Sequence, residues 1–200
     1  MSENQETQGS EDENPETEAR PRPVPRIYVA SLSDYNDGRL IGRWVDAAVE
    51  PEELGRQVEE MLAASPTPGA EEWAIHDYEG FGPLPLSEYE RLAVVSRIAC
   101  GIAEHGEAFA HWAALVGTTD PDDLDRFEDT YLGCFESLER YAEDLLDDLG
   151  YLDAVDKAVP EGIQPYVKVD IAGFARDLEL SGELTTSGGS EGVYVFDMAR

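Results

Sequence analysis

The first third of the chain has apolar runs at both strand-like and helix-like spacing. Residues 27–32 are apolar and partly β-branched, and residues 40–45 form a second run beyond an Asn-Asp-Gly turn signature at residues 36–38, which together predict a hairpin. A helix is predicted from Pro51, because proline suits the first helical position and apolar residues then recur on one face. That face consists of Leu54, Val58, Met61 and Leu62. With a third strand at residues 73–76, the pattern is β-β-α-β.

The middle of the chain has the spacing of several helices. Residues 87–90 match a capping box and predict the start of one helix, and residues 107–116 form a second. Asp120 followed by Pro121 predicts the N-cap and first position of a third helix. A fourth helix is expected from about residue 135 to residue 149. Breaks or bends are indicated at Gly101 and Gly106.

The last part of the chain contains both strand-like and helix-like patterns. Residues 166–169 have a strand-like composition, and residues 171–179 have the pattern of a short helix. Two further strands are predicted at residues 184–186 and 193–196, paired across the Ser-Gly-Gly-Ser segment at residues 187–190. No internal repeat is found.

Together these patterns predict an α+β fold class built from three small subdomains. We expect an N-terminal α+β subdomain at residues 26–86, a helical subdomain at residues 87–133 and a C-terminal α+β subdomain at residues 134–200. Residues 1–25 are rich in acids and proline and nearly devoid of apolar side chains, so a disordered tail is predicted there.

Charge changes this ordinary picture. The chain has 44 Asp and Glu against 14 Lys and Arg, a formal net charge of −30. Direct binding to nucleic acid or to an anionic membrane is therefore excluded, because the phosphate interaction would be repulsive. No apolar run approaches the roughly 18 residues that span a bilayer, and no signal peptide is recognised. Two cysteines, Cys100 and Cys134, do not form a disulfide scaffold and fit a reducing cytoplasm.

The acids are densest between residues 120 and 156. Helical spacing places Asp122, Asp125 and Asp129 on one predicted face. A second predicted face contains Glu136, Glu139, Glu143 and Asp147. The complete candidate surface is Asp120, Asp122, Asp123, Asp125, Glu128, Asp129, Glu136, Glu139, Glu143, Asp144, Asp147, Asp148, Asp153 and Asp156. Its spacing approaches the line density of DNA phosphates within a factor of about two to three. Salt adaptation, calcium buffering or high solubility would give a similar composition.

The sequence gives little support for a catalytic site or a metal site. The three histidines form no ligand pattern, and the two cysteines have no CxxC spacing. The acidic segment at residues 120–125 is similar to a calcium loop, but Leu124 occupies a ligand position and the required glycine is absent. We therefore expect no catalytic residue, no metal and no cofactor.

Four blocks of sequence resemble the ArdA antirestriction family. They are IYVASLSDYNDGRLIGRWVD at residues 27–46, EWAIHDYEGF at 72–81, FEDTYLG at 127–133 and FARDLEL at 174–180. The resemblance covers about residues 26–197, in order and at sensible spacing. Two departures are the additional acidic tail and Cys134, which stands where an acid or another polar residue is expected.

The resemblance implies a specific function. ArdA proteins are DNA mimics of mobile genetic elements, and they occupy the DNA-binding groove of type I restriction-modification enzymes. The family fold is an elongated three-part α+β chain that dimerises through its C-terminal part. On this basis we expect a cytoplasmic homodimer that binds in the DNA-binding groove of the methyltransferase core and competitively blocks DNA binding and cleavage. The sequence leaves open whether modification is blocked as well. An acidic adaptor or chaperone for basic nucleoid-type proteins is the alternative.

Overall fold

The computed structural model describes residues 24–199. It mixes nine helices with two three-stranded antiparallel sheets over those residues, so the predicted α+β class is confirmed. The prediction of a disordered tail at residues 1–25 falls, except for its last two residues, outside the described part. No helix within residues 24–199 is both long and apolar enough to cross a membrane.

The first sheet has the strand order β2-β1-β3, with β1 at Arg26–Ser31, β2 at Gly42–Asp46 and β3 at Trp73–Glu79. Helix α2 (Pro51–Ala63) packs on the face that contains the buried residues Ile27 and Val45. The predicted hairpin is confirmed in its strand pairing and incomplete in its connection. Strands β1 and β2 do pair antiparallel, but a short helix α1 (Leu32–Asn36) and an extended return join them.

A buried carboxylate explains why this connection is longer than a hairpin turn. Asp34 in α1 is fully buried, and its side chain accepts hydrogen bonds from the hydroxyls of Ser65 and Thr67 and from the guanidinium of Arg39. The bond from Ser65 and those from Thr67 and Arg39 hold the pKa of Asp34 well below its usual range. The ionised side chain therefore ties α1 to the loop that follows α2.

The middle helices are α3 (Leu92–His105) and α4 (Glu107–Val116), and the predicted bounds of α4 are confirmed. The predicted capping box at residues 87–90 is wrong, because this segment forms a turn and Arg91 is the N-cap of α3. Gly106, with φ +74°, separates the two helices. Gly101 does not break α3. A Cβ there would lie 2.4 Å from the Phe109 ring, so glycine permits close packing with α4.

The next segment differs most from its prediction. Asp120 caps helix α5 (Pro121–Asp125) as expected, with its side chain accepting from the backbone N–H of Asp122. The chain then breaks at Arg126, forms helix α6 (Phe127–Thr130) and enters strand β4 (Tyr131–Phe135). One continuous helix face containing Asp122, Asp125 and Asp129 is therefore wrong.

The remaining elements are helices α7 (Leu138–Asp148), α8 (Tyr151–Ala158) and α9 (Ile171–Leu180) and strands β5 (Leu184–Gly188) and β6 (Val193–Asp197). The predicted pairing of the last two strands is confirmed, and the second sheet has the order β4-β6-β5. The strand predicted at residues 166–169 is wrong. A 3-10 turn at Gln164–Tyr166 contains Pro165, and the N–H groups of Tyr166 and Val167 donate locally rather than to a ladder.

One hydrophobic core extends from the first sheet to the second. It begins at Ile27 in β1, includes α2, α3 and α4, and reaches Phe196 in β6. Trp112 of α4 is fully buried against Phe196, with 5.4 Å between the ring centroids. Helices α7 to α9 differ, because their buried residues are only Ala142, Leu146 and Ala175.

Candidate acidic interaction surface

The acidic surface is defined here as the fourteen carboxylates between Asp120 and Asp156. They lie on α5, on α6, at the bend before α7, and on α7 and α8. All are exposed except Asp123 and Asp144, which are half-buried. Charge is placed on the outside because the apolar positions of these segments face inward, with Leu124, Phe127 and Leu146 buried.

Helix α7 shows how the sequence builds one part of this surface. The Ser137 hydroxyl caps the helix by accepting a 3.2 Å hydrogen bond from the backbone N–H of Arg140. Ala142 and Leu146 form the buried side of the helix. Glu139, Glu143 and Asp147 follow at i,i+4 spacing and are exposed. Glu136, which was expected on the same face, precedes the N-cap and lies outside the helix.

Few cations neutralise the acidic surface. Arg140 binds Glu143 and Asp144 at 3.0 and 2.5 Å, and Arg126 is 3.6 Å from Asp123. The other ion pairs join Arg97 to Asp125 and Lys157 to Asp153. Glu128 lies 4.0 Å from Nε2 of His105, and eight acids have no Lys, Arg or His nitrogen within 4.0 Å among the described residues. They are Asp120, Asp122, Asp129, Glu136, Glu139, Asp147, Asp148 and Asp156.

Local hydrogen bonds keep part of this charge in place. The backbone N–H of Glu139 itself, followed by the side chain of Ser137, lowers the pKa of the Glu139 carboxyl. This acid at the start of α7 therefore stays ionised at lower pH than an ordinary glutamate, where it also interacts favourably with the helix dipole.

Charge is distributed unevenly along the described chain. Residues 24–119 contain 16 acids and six Lys or Arg, a net charge of −10. Residues 120–199 contain 21 acids and five Lys or Arg, a net charge of −16 in a shorter segment. The second part thus has roughly twice the negative charge per residue.

Eight exposed apolar side chains, called the apolar strip below, belong to the same part of the chain. Its residues are Leu149, Tyr151, Val155, Ile163, Tyr166, Val167, Val169 and Leu180. Next to it, a shallow groove of about 370 Å³ is lined by residues of α7, α8, the 3-10 turn and α9. Three of these residues, Val155, Val167 and Val169, line that groove together. Apolar groups gathered at one surface are typical of a site that binds another protein. Periodicity did not predict this strip, since α8 was not predicted from the sequence.

The residues considered for catalysis have structural partners. His111 is buried between Ser187, 2.6 Å from its Nδ1, and Glu107, 3.4 Å from its Nε2. Glu107 also accepts hydrogen bonds from Ser190 and Tyr194, which fixes α4 to the turn between β5 and β6. These residues are far apart in sequence, and no motif indicated their contact.

The other candidates are similarly placed. His105 packs against Phe109 and Phe127, and His76 packs against Tyr35. Cys100 is half-buried, and burial raises the pKa of its thiol. Within residues 24–199, no cluster of three or more His, Cys, Asp or Glu side chains is arranged to hold a metal ion.

Comparison with known families decides the identity of the chain. The model of the family described as antirestriction protein (ArdA) matches residues 27–192. The chain belongs to the ArdA family. Comparison with curated proteins gives no significant match. As an ArdA protein, the chain is an antirestriction protein, and proteins of this family are inhibitors of restriction enzymes rather than enzymes.

Proposed function

We propose that this ArdA protein is a DNA mimic that occupies the DNA-binding groove of type I restriction-modification enzymes. Its acidic surface replaces the phosphates of DNA at the methyltransferase core and competitively blocks DNA binding, cleavage and modification. The observation that supports this proposal is the set of exposed carboxylates without a described cation partner, concentrated in residues 120–156.

The physical argument depends on what folding alone requires. Like charges at i,i+4 positions, such as Glu139, Glu143 and Asp147, destabilise a helix by about 0.2–0.5 kcal/mol per pair. An external basic groove compensates for this repulsion, because its Lys and Arg side chains bind the carboxylates and release counterions. Affinity is therefore expected to fall as salt rises.

We further propose that the protein works as a homodimer in the cytoplasm, on behalf of a mobile genetic element. The apolar strip lies within residues 134–200, the part proposed as the dimerising subdomain. Burial of this strip against a second copy would remove its apolar side chains from water and join two acidic surfaces into one longer array.

The direct test is ATP-dependent DNA cleavage by a purified type I restriction enzyme. The protein is titrated into the reaction at two salt concentrations, and methylation by the same enzyme is measured in parallel. We expect inhibition near stoichiometric amounts that is relieved by added salt or by excess DNA. Absence of inhibition by a folded protein would contradict the proposal.

Two charge-matched variants separate position from net charge. The first replaces Glu136, Glu139, Glu143 and Asp147 by Gln or Asn. The second replaces Glu52, Glu53, Glu59 and Glu60 of α2 by Gln, and so also removes four negative charges. Because each exposed ion contact contributes about 0.2–1 kcal/mol, four lost contacts should raise the half-inhibitory concentration of the first variant at least about fourfold. The rise should be less than about threefold for the second.

Equal losses in the two variants would favour the alternative function. An acidic adaptor or chaperone for basic nucleoid-type proteins depends on total charge rather than on its arrangement. Such a protein would bind basic proteins equally well with either set of four acids removed.

A further inference from the structure

The first sheet has one covered face and one open face. Arg43 projects toward α2, where it donates a hydrogen bond to the backbone oxygen of Gln57, and Val45 on the same side is buried. Trp44 between them points the opposite way and is 38% exposed. Cross-strand register places Tyr28 beside Trp44 on one side and beside Asp77 on the other. In the next row, Arg26 lies between Asp46 and Glu79.

The open face has a specific chemical arrangement. The rings of Tyr28 and Trp44 meet edge to face, with 5.7 Å between their centroids. The guanidinium carbon of Arg26 lies 5.3 Å from the Trp44 centroid, and the Nε atom of Arg26 donates a 2.7 Å hydrogen bond to Glu79. A guanidinium held between an indole ring and a carboxylate is thus already present on this face.

Two carboxylates on the same face have no cation. Asp46 and Asp77 are exposed, and each uses one oxygen to accept a backbone hydrogen bond, from Ala48 and from Tyr78 respectively. Neither has a Lys or Arg nitrogen within 4.0 Å among residues 24–199. They flank the Tyr28–Trp44 pair, Asp46 two residues along β2 from Trp44 and Asp77 across from Tyr28.

We propose that this face binds an arginine-bearing segment of a protein partner. A partner guanidinium stacks on the Trp44–Tyr28 pair, and its N–H groups donate to Asp46 or Asp77. The occupant is arginine rather than lysine, because a planar guanidinium stacks on an aromatic ring and donates in a fork to a carboxylate at the same time. Carboxylates beside the rings exclude stacking of nucleic acid bases, which requires a basic setting.

This inference rests on the proposed function in one respect, since the partner meant is the restriction enzyme. It differs in kind from the acidic surface. The acidic surface responds to the number and arrangement of positive charges, whereas the open face distinguishes a guanidinium from an ammonium group. It also lies on β1 to β3, outside residues 120–156.

Arg26 is the internal competitor in this arrangement. It occupies one side of the Trp44 ring and neutralises Glu79, so removal of its side chain exposes both groups. Arg56 provides a matched control, because it pairs with Glu53 and Glu60 on α2, on the covered side of the sheet. Arg26→Ala and Arg56→Ala each remove one positive charge. The affinity of the protein for an arginine-containing peptide should rise about two- to fivefold more in Arg26→Ala than in Arg56→Ala.

The experiment uses the full chain labelled with ¹⁵N at its three tryptophan indoles. A ten-residue Gly/Ser peptide with three arginines is titrated in and followed by NMR, and the same peptide with three lysines is the comparison. Trp44 is assigned from the signal lost in Trp44→Phe. The arginine peptide should shift the Trp44 signal and bind about two- to fivefold more tightly than the lysine peptide. The signal of Trp112, whose Nε1 is buried and donates to Asp123, should not move.

Substitutions then identify the groups involved. Trp44→Leu keeps apolar bulk at the site and should abolish the preference for arginine. The double variant Asp46→Asn, Asp77→Asn should weaken binding of the arginine peptide. Its control is the double variant Glu71→Gln, Glu72→Gln, which removes two charges from the loop before β3. The loss of affinity should be at least about threefold larger in the first variant than in the control. Circular dichroism confirms that each variant is folded.

Several results would overturn the inference. Equal affinity for the two peptides, or a preference retained in Trp44→Leu, removes its chemical basis. A Trp44 signal that changes with protein concentration alone indicates that a second copy occupies the face. A Trp44 signal that shifts in the Arg20→Ala, Arg22→Ala variant indicates that the chain's own N-terminal arginines occupy it.

The cleavage assay separates this inference from the proposed function. The inference is wrong if Trp44→Leu inhibits cleavage as well as the unchanged protein and still binds the arginine peptide more tightly than the lysine peptide. The DNA-mimic proposal then still depends only on the four-acid variant of residues 136–147. If the unchanged protein fails to inhibit but shows arginine preference at Trp44, the open face stands and the restriction enzyme is the wrong partner.

Discussion

The part of the molecule from β1 to α4 and the part from α7 to α9 use apolar residues in opposite ways. In the first part, side chains such as Ile27, Leu54 and Trp112 are fully buried in one continuous core. In the second, α8 has no buried residue, and Tyr166 and Leu180 are 85% and 77% exposed. The first part contributes most of the buried core, which it shares with Phe127 and Phe196, whereas the second presents apolar and acidic groups outward. Most of the buried core and most of the large exposed apolar side chains of α7 to α9 therefore lie in different segments of one chain.

The largest expected effect is in the packed part. Trp112→Ala should lower the free energy of unfolding by about 3–5 kcal/mol, because it leaves a cavity beside Phe196 and removes the hydrogen bond to the Asp123 oxygen. Urea denaturation followed by circular dichroism measures it. Arg176→Ala on α9, where the side chain is exposed and lies outside the apolar strip, is the control and should change stability by less than about 0.5 kcal/mol. Similar losses in both variants would remove the distinction between the two parts.

A second variant tests whether the apolar strip binds another copy of the chain. Val155→Ser with Val167→Ser removes two exposed apolar side chains that line the groove beside α8. We expect the dimer dissociation constant to rise at least about tenfold, equivalent to about 1.4 kcal/mol, while the fold is retained. Light scattering coupled to size-exclusion chromatography measures the mass. An unchanged dimer would place the interface elsewhere.

A smaller effect is expected at the start of α7. Ser137→Ala removes the side-chain acceptor for the Arg140 N–H and should cost about 1 kcal/mol of helix stability. Hydrogen exchange of α7 amides should become faster, whereas exchange in α3 should be unchanged. Ser137→Asp restores an acceptor and should recover most of the loss. Faster exchange in both helices would show that α7 unfolds only together with the core.

The smallest effect is a pH dependence within the packed part. Hydrogen bonds from Ser190, then from His111 and Tyr194, lower the pKa of Glu107 below its value in an unfolded chain. The resulting stabilisation is present above the unfolded pKa of about 4.3 and is lost as pH falls through the lower folded value. Because the carboxylate is 38% exposed, we expect less than about 1 kcal/mol.

Glu107→Gln tests this prediction through urea midpoints between pH 3 and pH 7. The variant should be less stable than the unchanged protein at pH 7, and the two should converge toward pH 3. Glu104→Gln on the neighbouring helix is the control. A constant difference across the range would mean that Glu107 acts through packing rather than through its charge.

Sequence patterns predicted the elements whose signals are local. The bounds of α4, the Asp120 cap and the pairing of β5 with β6 follow from residues adjacent in the chain. Residues 87–90 have an equally local signal, but there the Ser87 hydroxyl accepts from the Tyr89 N–H in a turn. Strand β4 was missed because its partner, β6, lies about sixty residues further along the chain.

The candidate site could be predicted only in part, because some of it depends on contacts between residues that are far apart in the chain. Exposure of most acids follows from their charge and from the inward apolar positions of the same helices. The face formed by Tyr28, Trp44 and Asp77 could not be found, because it depends on the register of three strands spread over fifty residues. The bend at Arg126 likewise depends on how Phe127 packs among Phe109, Tyr131 and Phe196.

The uneven charge of the chain should also affect how the protein is oriented as it approaches a basic partner and how fast the two associate. In the electric field of a basic groove, the segment with net charge −16 experiences a stronger pull than the segment with net charge −10, which produces a torque before any contact forms. Residues 120–199 should therefore lead the approach. Their variants should mainly slow association, whereas variants of the Trp44 face should mainly speed dissociation.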